Sequence, residues 1–145
     1  SYRRQRQMCI RDSDNVEVTA FKNSHGDLED SFGYLFETND KKILFSGDTA
    51  VSENLKKYGK NLDILVHEVF SSETFENKTK EWQIYHKAHH TSSIDLGKIA
   101  NELKPNKLVL SHILFWGASS ESLLSDISQN FNGTSIIAED LLVID

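Results

Sequence analysis

The stretch that decides the fold is Lys42-Ile43-Leu44-Phe45-Ser46-Gly47-Asp48-Thr49, an apolar strand pattern that runs directly into a small, tight turn. The turn presents one carboxylate, Asp48, after a glycine that allows close approach of the backbone. A carboxylate at this position can bridge two cations through its two oxygens. The alternative is an ordinary strand-to-helix turn in which Asp48 serves as the helix N-cap.

The rest of the chain alternates between strand and helix patterns. Period-2 alternation or short apolar runs predict strands at 15–21, 31–37, 42–45, 62–68, 107–112, 135–138 and 141–144. A short helix is predicted at 51–58, ended by Gly59, and an amphipathic helix at 121–131. Residues 91–93 can cap a helix at 93–103 whose apolar residues fall near one face, and residues 71–92 look polar and irregular. This mixture predicts an α/β layered sandwich.

Histidines occupy polar, turn-like positions near the predicted strand ends. His112 ends an apolar strand, His25 precedes one, and His90 of the pair His89-His90 stands just before a helix cap. Neutral imidazole is the commonest nitrogen ligand of zinc, although any one such histidine is more often a satisfied, partly buried residue.

His67-Glu68 follows the apolar run that begins at Leu62. Two ionisable groups at a core-facing strand end are rarely left without partners or a purpose. The alternative is a strand end at the surface with both side chains solvated. His86 has no spacing that demands chemistry and is interpreted as a structural or lid residue.

The length and the charge of the chain limit the classes of function that it can have. At 145 residues the chain is long enough for one domain with a core, and its net charge of −6 argues against a broad electrostatic footprint for nucleic acid. The net charge does not exclude a local basic groove. No apolar run approaches the roughly 20 residues of a membrane span. No signal peptide is recognisable, which is uninformative if the natural N-terminus is missing.

The opening segment, residues 1–13, differs from the rest. Its Arg- and Gln-rich run from Arg3 to Ser13 looks like an in-frame translation of a common transposase sequencing adapter, the alternative being a genuine basic arm. We exclude it from fold reasoning and take 14–145 as the domain. The exclusion leaves 12 basic and 21 acidic residues and no cysteine, so any metal must be held by His and carboxylate.

Other hydrolase chemistries lack their residues. There is no Gly-x-Ser-x-Gly nucleophile elbow, no phosphate-cradling glycine-rich loop and no cysteine nucleophile outside the excluded segment. A metal-dependent site is therefore favoured by elimination as well as by pattern.

Several motifs appear together in one order along the chain. They are Ser24-His25-Gly26, Ser31-Phe32-Gly33-Tyr34, Ser46-Gly47-Asp48-Thr49, His67-Glu68, His90-Thr91-Ser92 and Leu110-Ser111-His112. This series resembles the metallo-β-lactamase superfamily, most closely its ribonuclease Z and arylsulfatase-like branch. The resemblance implies an αββα sandwich, of which this chain would be the C-terminal half.

The resemblance also implies roles for individual residues. His25 and His112 would each ligate one of two metals and Asp48 would bridge them. His90 would stabilise the transition state or protonate the leaving group, and Glu68 would orient His90. Two Zn²⁺ ions are expected in the full-length protein, with Mn²⁺ or Fe as alternatives. A water-derived hydroxide between the metals would be the nucleophile.

The family's other ligand cluster, His-x-His-x-Asp-His, does not occur in these 145 residues. The expectation is therefore a truncated dinuclear zinc hydrolase of phosphodiester or related ester bonds, which binds metal weakly and is inactive alone. tRNA 3′-end processing is the first alternative, disfavoured by net acidity and by the uncharged run Ile113–Gly117 after His112. A non-catalytic α/β module is the second. A small-molecule ester is the expected substrate, with no membrane contact and with a homodimer left open.

Overall fold

A single mixed sheet forms the centre of the molecule in the computed structural model, which describes residues 8–11 and 15–145. The described strands are β1 Met8–Arg11, β2 Glu17–Lys22, β3 Phe32–Glu37, β4 Lys42–Phe45, β5 Ile64–Phe70, β6 Lys107–Leu114 and β7 Thr134–Ile137. They lie side by side in chain order. Neighbours from β1 to β4 are antiparallel, and neighbours from β4 to β7 are parallel.

The helices connect or flank the parallel strands. They are α1 Glu53–Tyr58, α2 Ser72–Phe75, α3 Lys80–His89, α4 Ser93–Leu103 and α5 Ser120–Ser128. Each begins after a Ser or Thr whose hydroxyl accepts a hydrogen bond from a backbone N–H in the first turn, namely Ser52, Ser71, Thr79, Ser92 and Ser119. Asp48 is therefore not the cap of α1, because Ser52 is.

The core lies between one face of the sheet and helices α1, α4 and α5. Leu44, Leu65 and Leu108 point from adjacent strands into one fully buried cluster. Leu96 and Ile99 of α4 and Leu123 and Ile127 of α5 complete that cluster from the helix side. Gly97 lets α4 and α5 approach closely, since a Cβ there would lie 2.8 Å from the Ile127 carbonyl oxygen.

The opposite face of the sheet has no helix layer among the described residues. Tyr34 pairs with Phe45, and Phe45 pairs with Val66, so these side chains share that face. Tyr34 and Phe45 are each 43% exposed, and Phe36 beside them is 36% exposed. Strands this apolar on both faces are typical of sheets that are covered on both sides.

The predicted α/β class is confirmed, and three local predictions are corrected. Residues 71–92 are not irregular but contain α2 and α3. Residues 141–144 form no strand, and Leu141 there is fully exposed. The sixth strand does not end at His112 but continues to Leu114.

The excluded segment at the N-terminus is described only in part. Its residues 8–11 form β1, which pairs with β2 in register Met8 to Ala20, and the rest of 1–13 lies outside the described residues. An adapter origin for this segment stays a prediction. In the described part of the chain, no helix combines the length and apolar character that a membrane crossing requires.

Candidate metal centre

Asp48 lies in the turn that follows β4. Gly47 adopts a left-handed φ of 62°, and a Cβ there would lie 2.6 Å from the Phe32 carbonyl oxygen, so only glycine fits. The Asn23 side-chain amide donates to the carbonyls of Ser46 at 2.8 Å and Asp48 at 3.3 Å. The turn therefore holds the Asp48 carboxylate, which is 45% exposed, at the end of the strand.

His112 occupies a β-bulge in β6. Glu68 pairs with Ser111 and Val69 pairs with Ile113, which leaves His112 as the extra residue. Its φ of +43° is uncommon for a non-glycine residue, and bulges of this kind re-aim a side chain. The Nε2 atom of His112 lies 3.5 Å from Oδ2 of Asp48. The bulge thus brings the histidine to the carboxylate of a non-adjacent strand.

Glu68 is a buried carboxylate that joins two loops. Its Oε1 accepts from the backbone N–H of Thr49 and from Nδ1–H of His90, both at 2.9 Å. Its Oε2 accepts from the backbone N–H of Thr91 at 3.2 Å. The alternative of a solvated strand end is wrong, because Glu68 is only 2% exposed and His67 only 1%.

His90 lies between α3 and α4 and faces the other site residues. Because a carboxylate only accepts hydrogen bonds, Nδ1 of His90 carries the proton and Nε2 is the nitrogen left available. Burial disfavours the charged ring, but the hydrogen bond and charge of Glu68 and the charge of Asp48 outweigh it, so the pKa of His90 is raised. One ligand-type atom from each of Asp48, His90 and His112 lies within 4.8 Å of the others.

His25 lies beside this group but outside it. Its Nδ1–H donates to the His89 carbonyl at 2.9 Å, which again leaves Nε2 without the proton. The next N–H, of Gly26, donates to the Ala88 carbonyl at 2.9 Å. The His25 and His90 rings are 5.4 Å apart between centroids. The structure thus brings Asp48 and His112 together with His90, and holds His25 adjacent through the end of α3.

Two further histidines flank the centre. His67 donates from Nδ1 to the Glu68 carbonyl at 2.6 Å, and burial lowers its pKa more than the charge of Glu68 raises it. His86 packs against Trp82 with ring centroids 3.7 Å apart, and its buried Nδ1 has no hydrogen-bond partner. Burial, and then the neighbouring histidines and Lys78, lower the pKa of His86. Both rings are therefore biased towards the neutral form.

Sequence reasoning missed the threonines that connect the loops. The Thr91 hydroxyl donates to the Thr49 carbonyl at 2.7 Å, and the Thr49 hydroxyl accepts from the Ser24 N–H at 3.0 Å. Thr49 and Thr91 are almost fully buried, at 0% and 1% exposed. Their only sequence signal is that each directly follows a candidate site residue.

The donor set fits a divalent transition metal. It consists of the Asp48 carboxylate and the imidazoles of His112 and His25. The Nδ1–H of His25 donates to a carbonyl, the arrangement that frees Nε2 for a metal. Nitrogen and oxygen donors without thiolate suit zinc, and also manganese or iron.

Comparisons with known proteins identify the family of the chain. Residues 4–113 match the family described as "Beta-lactamase superfamily domain". The chain is 27% identical over 106 residues to the ribonuclease Z of Archaeoglobus fulgidus, covering 72% of this chain and 32% of that protein. The chain thus spans about a third of the length of that curated relative.

Solved structures show the same fold. The metallo-β-lactamase fold protein YhfI of Bacillus subtilis superposes with a TM-score of 0.78 at 18% identity, covering 95% of this chain and 52% of that one. Zn²⁺-bound PqqB of Methylobacterium extorquens superposes with a TM-score of 0.69 at 18% identity, covering 97% and 54%. The family match, the curated relative and the shared fold together show that the chain belongs to the metallo-β-lactamase-fold superfamily, on its ribonuclease Z-like branch.

Proposed function

We propose that this chain is the part of a dinuclear zinc hydrolase that supplies the bridging carboxylate and the proton donor for cleavage of phosphodiester or related ester bonds. The observation that carries the proposal is the convergence of Asp48, His112 and the Glu68-bound His90 within one group. These residues come from separate elements, and the left-handed His112 is held at the point of contact. Independent packing histidines have no reason to converge on a carboxylate in this way.

Each residue has a proposed role. The two metals would be held by His25, Asp48 and His112, and Asp48 would bridge them. When bound, zinc would polarise the ester and lower the pKa of a coordinated water. His90 donates a proton to the departing oxygen, and Glu68 fixes the tautomer and direction of the His90 ring. The zinc-bound state of the structurally similar PqqB supports the choice of metal.

The ligand set in this chain is incomplete for that chemistry. The His-x-His-x-Asp-His cluster is absent from the 145 residues, and the chain spans 32% of the length of the ribonuclease Z relative. Three protein ligands shared between two metals leave both short of four-coordination. We therefore propose that the chain functions within a longer hydrolase and does not turn over substrate alone.

The test is hydrolysis of bis-p-nitrophenyl phosphate by the longer hydrolase that we propose contains this chain, called the parent below. We expect zinc-dependent turnover that Asp48→Ala lowers at least about 100-fold, since loss of the bridging oxygen affects both metals. The exposed Asp27→Ala, near His25 but outside the group, is the matched control and should leave turnover unchanged. Undiminished activity of Asp48→Ala would exclude the proposed site.

tRNA 3′-end processing is a second candidate, favoured by the similarity to ribonuclease Z. The net charge of −6 and the uncharged run Ile113–Gly117 after His112 offer few phosphate contacts. Cleavage of precursor tRNA by the parent, at a rate that exceeds its diester hydrolysis, would establish this candidate over the first.

A further inference from the structure

An apolar cleft of about 380 Å³ opens beside His90. Its wall contains Phe70, Phe75, Val51 and Ile94, and His90 is the residue that it shares with the Asp48–His112 group. Phe70 is only 2% exposed and is stacked against Phe75 with centroids 4.8 Å apart, so the half-buried Phe75 provides the accessible aromatic surface. The volume and the apolar lining are those of a small-molecule subsite.

The charges at this cleft give no net attraction to an anionic occupant. Glu76 and Asp95 contribute two carboxylates to its lining, against the single cation of Lys87. Lys98 pairs with Asp95 at 3.0 Å, which leaves Glu76 and Lys87 to balance each other. A phosphate group or an RNA backbone would find no net positive charge here, whereas an uncharged apolar group would lose only water.

We propose that the cleft binds the uncharged aromatic leaving group of the ester substrate; this inference rests on the proposed function. As the bond between the leaving oxygen and phosphorus or the acyl carbon breaks, His90 gives its proton to that oxygen. The water oxygen forms the new bond, and the water proton restores His90. The alcohol side of the ester must therefore lie next to His90, and the apolar cleft that His90 lines is the space available for it. The substrate class is an aryl ester or aryl phosphodiester.

Binding without metal tests the subsite directly. We expect 4-cresol, a neutral phenol, to shift the backbone amide signals of Ser72, Ser92 and Ile94 in an NMR titration of the metal-free, ¹⁵N-labelled parent protein, with a Kd on the order of 1 mM. Inorganic phosphate should leave these signals in place. Equal or stronger shifts with phosphate, or cresol shifts confined to residues outside the cleft, would overturn the proposal.

A matched pair of variants locates the binding. Val51→Asp places a carboxylate in the wall at a position already 44% exposed, and should weaken cresol binding at least about tenfold. Ile84→Asp makes a similar change on the exposed surface of α3, outside the cleft, and should have no effect. Equal affinities for Val51→Asp and the unmodified chain would refute the assignment.

Turnover by the parent separates this inference from the proposed function. Val51→Asp should lower kcat/KM for an aryl diester at least about tenfold more than for its methyl analogue. If Asp48→Ala abolishes hydrolysis but Val51→Asp does not change this ratio, the subsite is refuted and the hydrolase stands. If Asp48→Ala leaves hydrolysis intact, the proposed hydrolase function is refuted, whether or not 4-cresol binds in the cleft.

Discussion

At the scale of single residues, the candidate centre depends on how one buried carboxylate is satisfied. Glu68 accepts three hydrogen bonds, from Thr49, His90 and Thr91, and so joins the loop of Asp48 to that of His90. The sequence predicts Glu68 as the partner of His90 through the family resemblance, and this contact is present at 2.9 Å. It does not predict the two backbone donors, because backbone groups leave no trace in the residue pattern.

Replacing Glu68 by Gln should destabilise the fold and misdirect His90. The amide oxygen can still accept two of the bonds, but the amide NH₂ then faces the Thr91 N–H, donor against donor. We expect a loss of about 1–3 kcal/mol in the free energy of unfolding, measured by urea denaturation. In the parent, kcat should fall about 10–100-fold with little change in KM, as for loss of a residue that orients another.

The matched control for this variant is Glu29→Gln, which makes the same chemical change in an exposed turn. Its free energy of unfolding should change by no more than about 0.5 kcal/mol. Equal effects of the two substitutions on stability and on kcat would mean that Glu68 has no special role.

At the scale of elements, the sequence predicts those with a buried face and misses those without one. Helix α4 was predicted from its cap and its apolar face, and both are present. Helix α3 is not predicted because none of its residues is buried, so its sequence shows no apolar face. Its only helix signal is the N-cap residue Thr79. The bulge at His112 was missed because strand patterns assume unbroken alternation.

The turn after β4 should tolerate no side chain at Gly47. Gly47→Ala must hold alanine at φ 62° and place its Cβ 2.6 Å from the Phe32 carbonyl oxygen. The left-handed backbone costs about 1 kcal/mol. Relief of the clash should cost on the order of 2 kcal/mol more and move Asp48, so we expect both lower stability and weaker zinc binding by the parent. Urea denaturation and competition with a chromogenic chelator measure the two effects.

Gly117→Ala separates the two contributions. Gly117 also has a positive φ, of 91°, but a Cβ there would meet no atom within 4 Å. Gly117→Ala should therefore lower the free energy of unfolding only by the cost of the left-handed backbone, and the zinc affinity of the parent should not change. Matching losses at the two positions would show that the clash at Gly47 is relieved without cost.

At the scale of the whole molecule, the sheet carries helices on one face only, within the described residues. The sequence predicts a layered α/β sandwich from its mixture of strands and helices, and the family resemblance implies the two-sided αββα form. The structure shows one covered face and leaves Tyr34, Phe36 and Phe45 exposed together on the other. We propose that the rest of a longer hydrolase packs on this face.

The chain on its own should therefore behave as a molecule with an uncovered apolar layer. Phe36 and Phe45 contact edge to face at 5.6 Å, and a contiguous aromatic patch of this kind binds other apolar surfaces. We expect the isolated chain to self-associate in sedimentation velocity and to enhance the fluorescence of the dye ANS, and the parent to do neither.

Charge on the uncovered face should reverse this behaviour. The pair Tyr34→Lys and Phe45→Lys should reduce self-association and dye binding by the isolated chain. The same pair should destabilise the parent by about 3 kcal/mol or more, because lysine would then be buried between two layers. Ile84→Lys with Tyr85→Lys on α3 is the control, since those side chains are as exposed, at 64% and 55%, but lie off the sheet. A monomeric isolated chain without dye binding, or a parent indifferent to lysine at Tyr34 and Phe45, would show that no second layer covers this face.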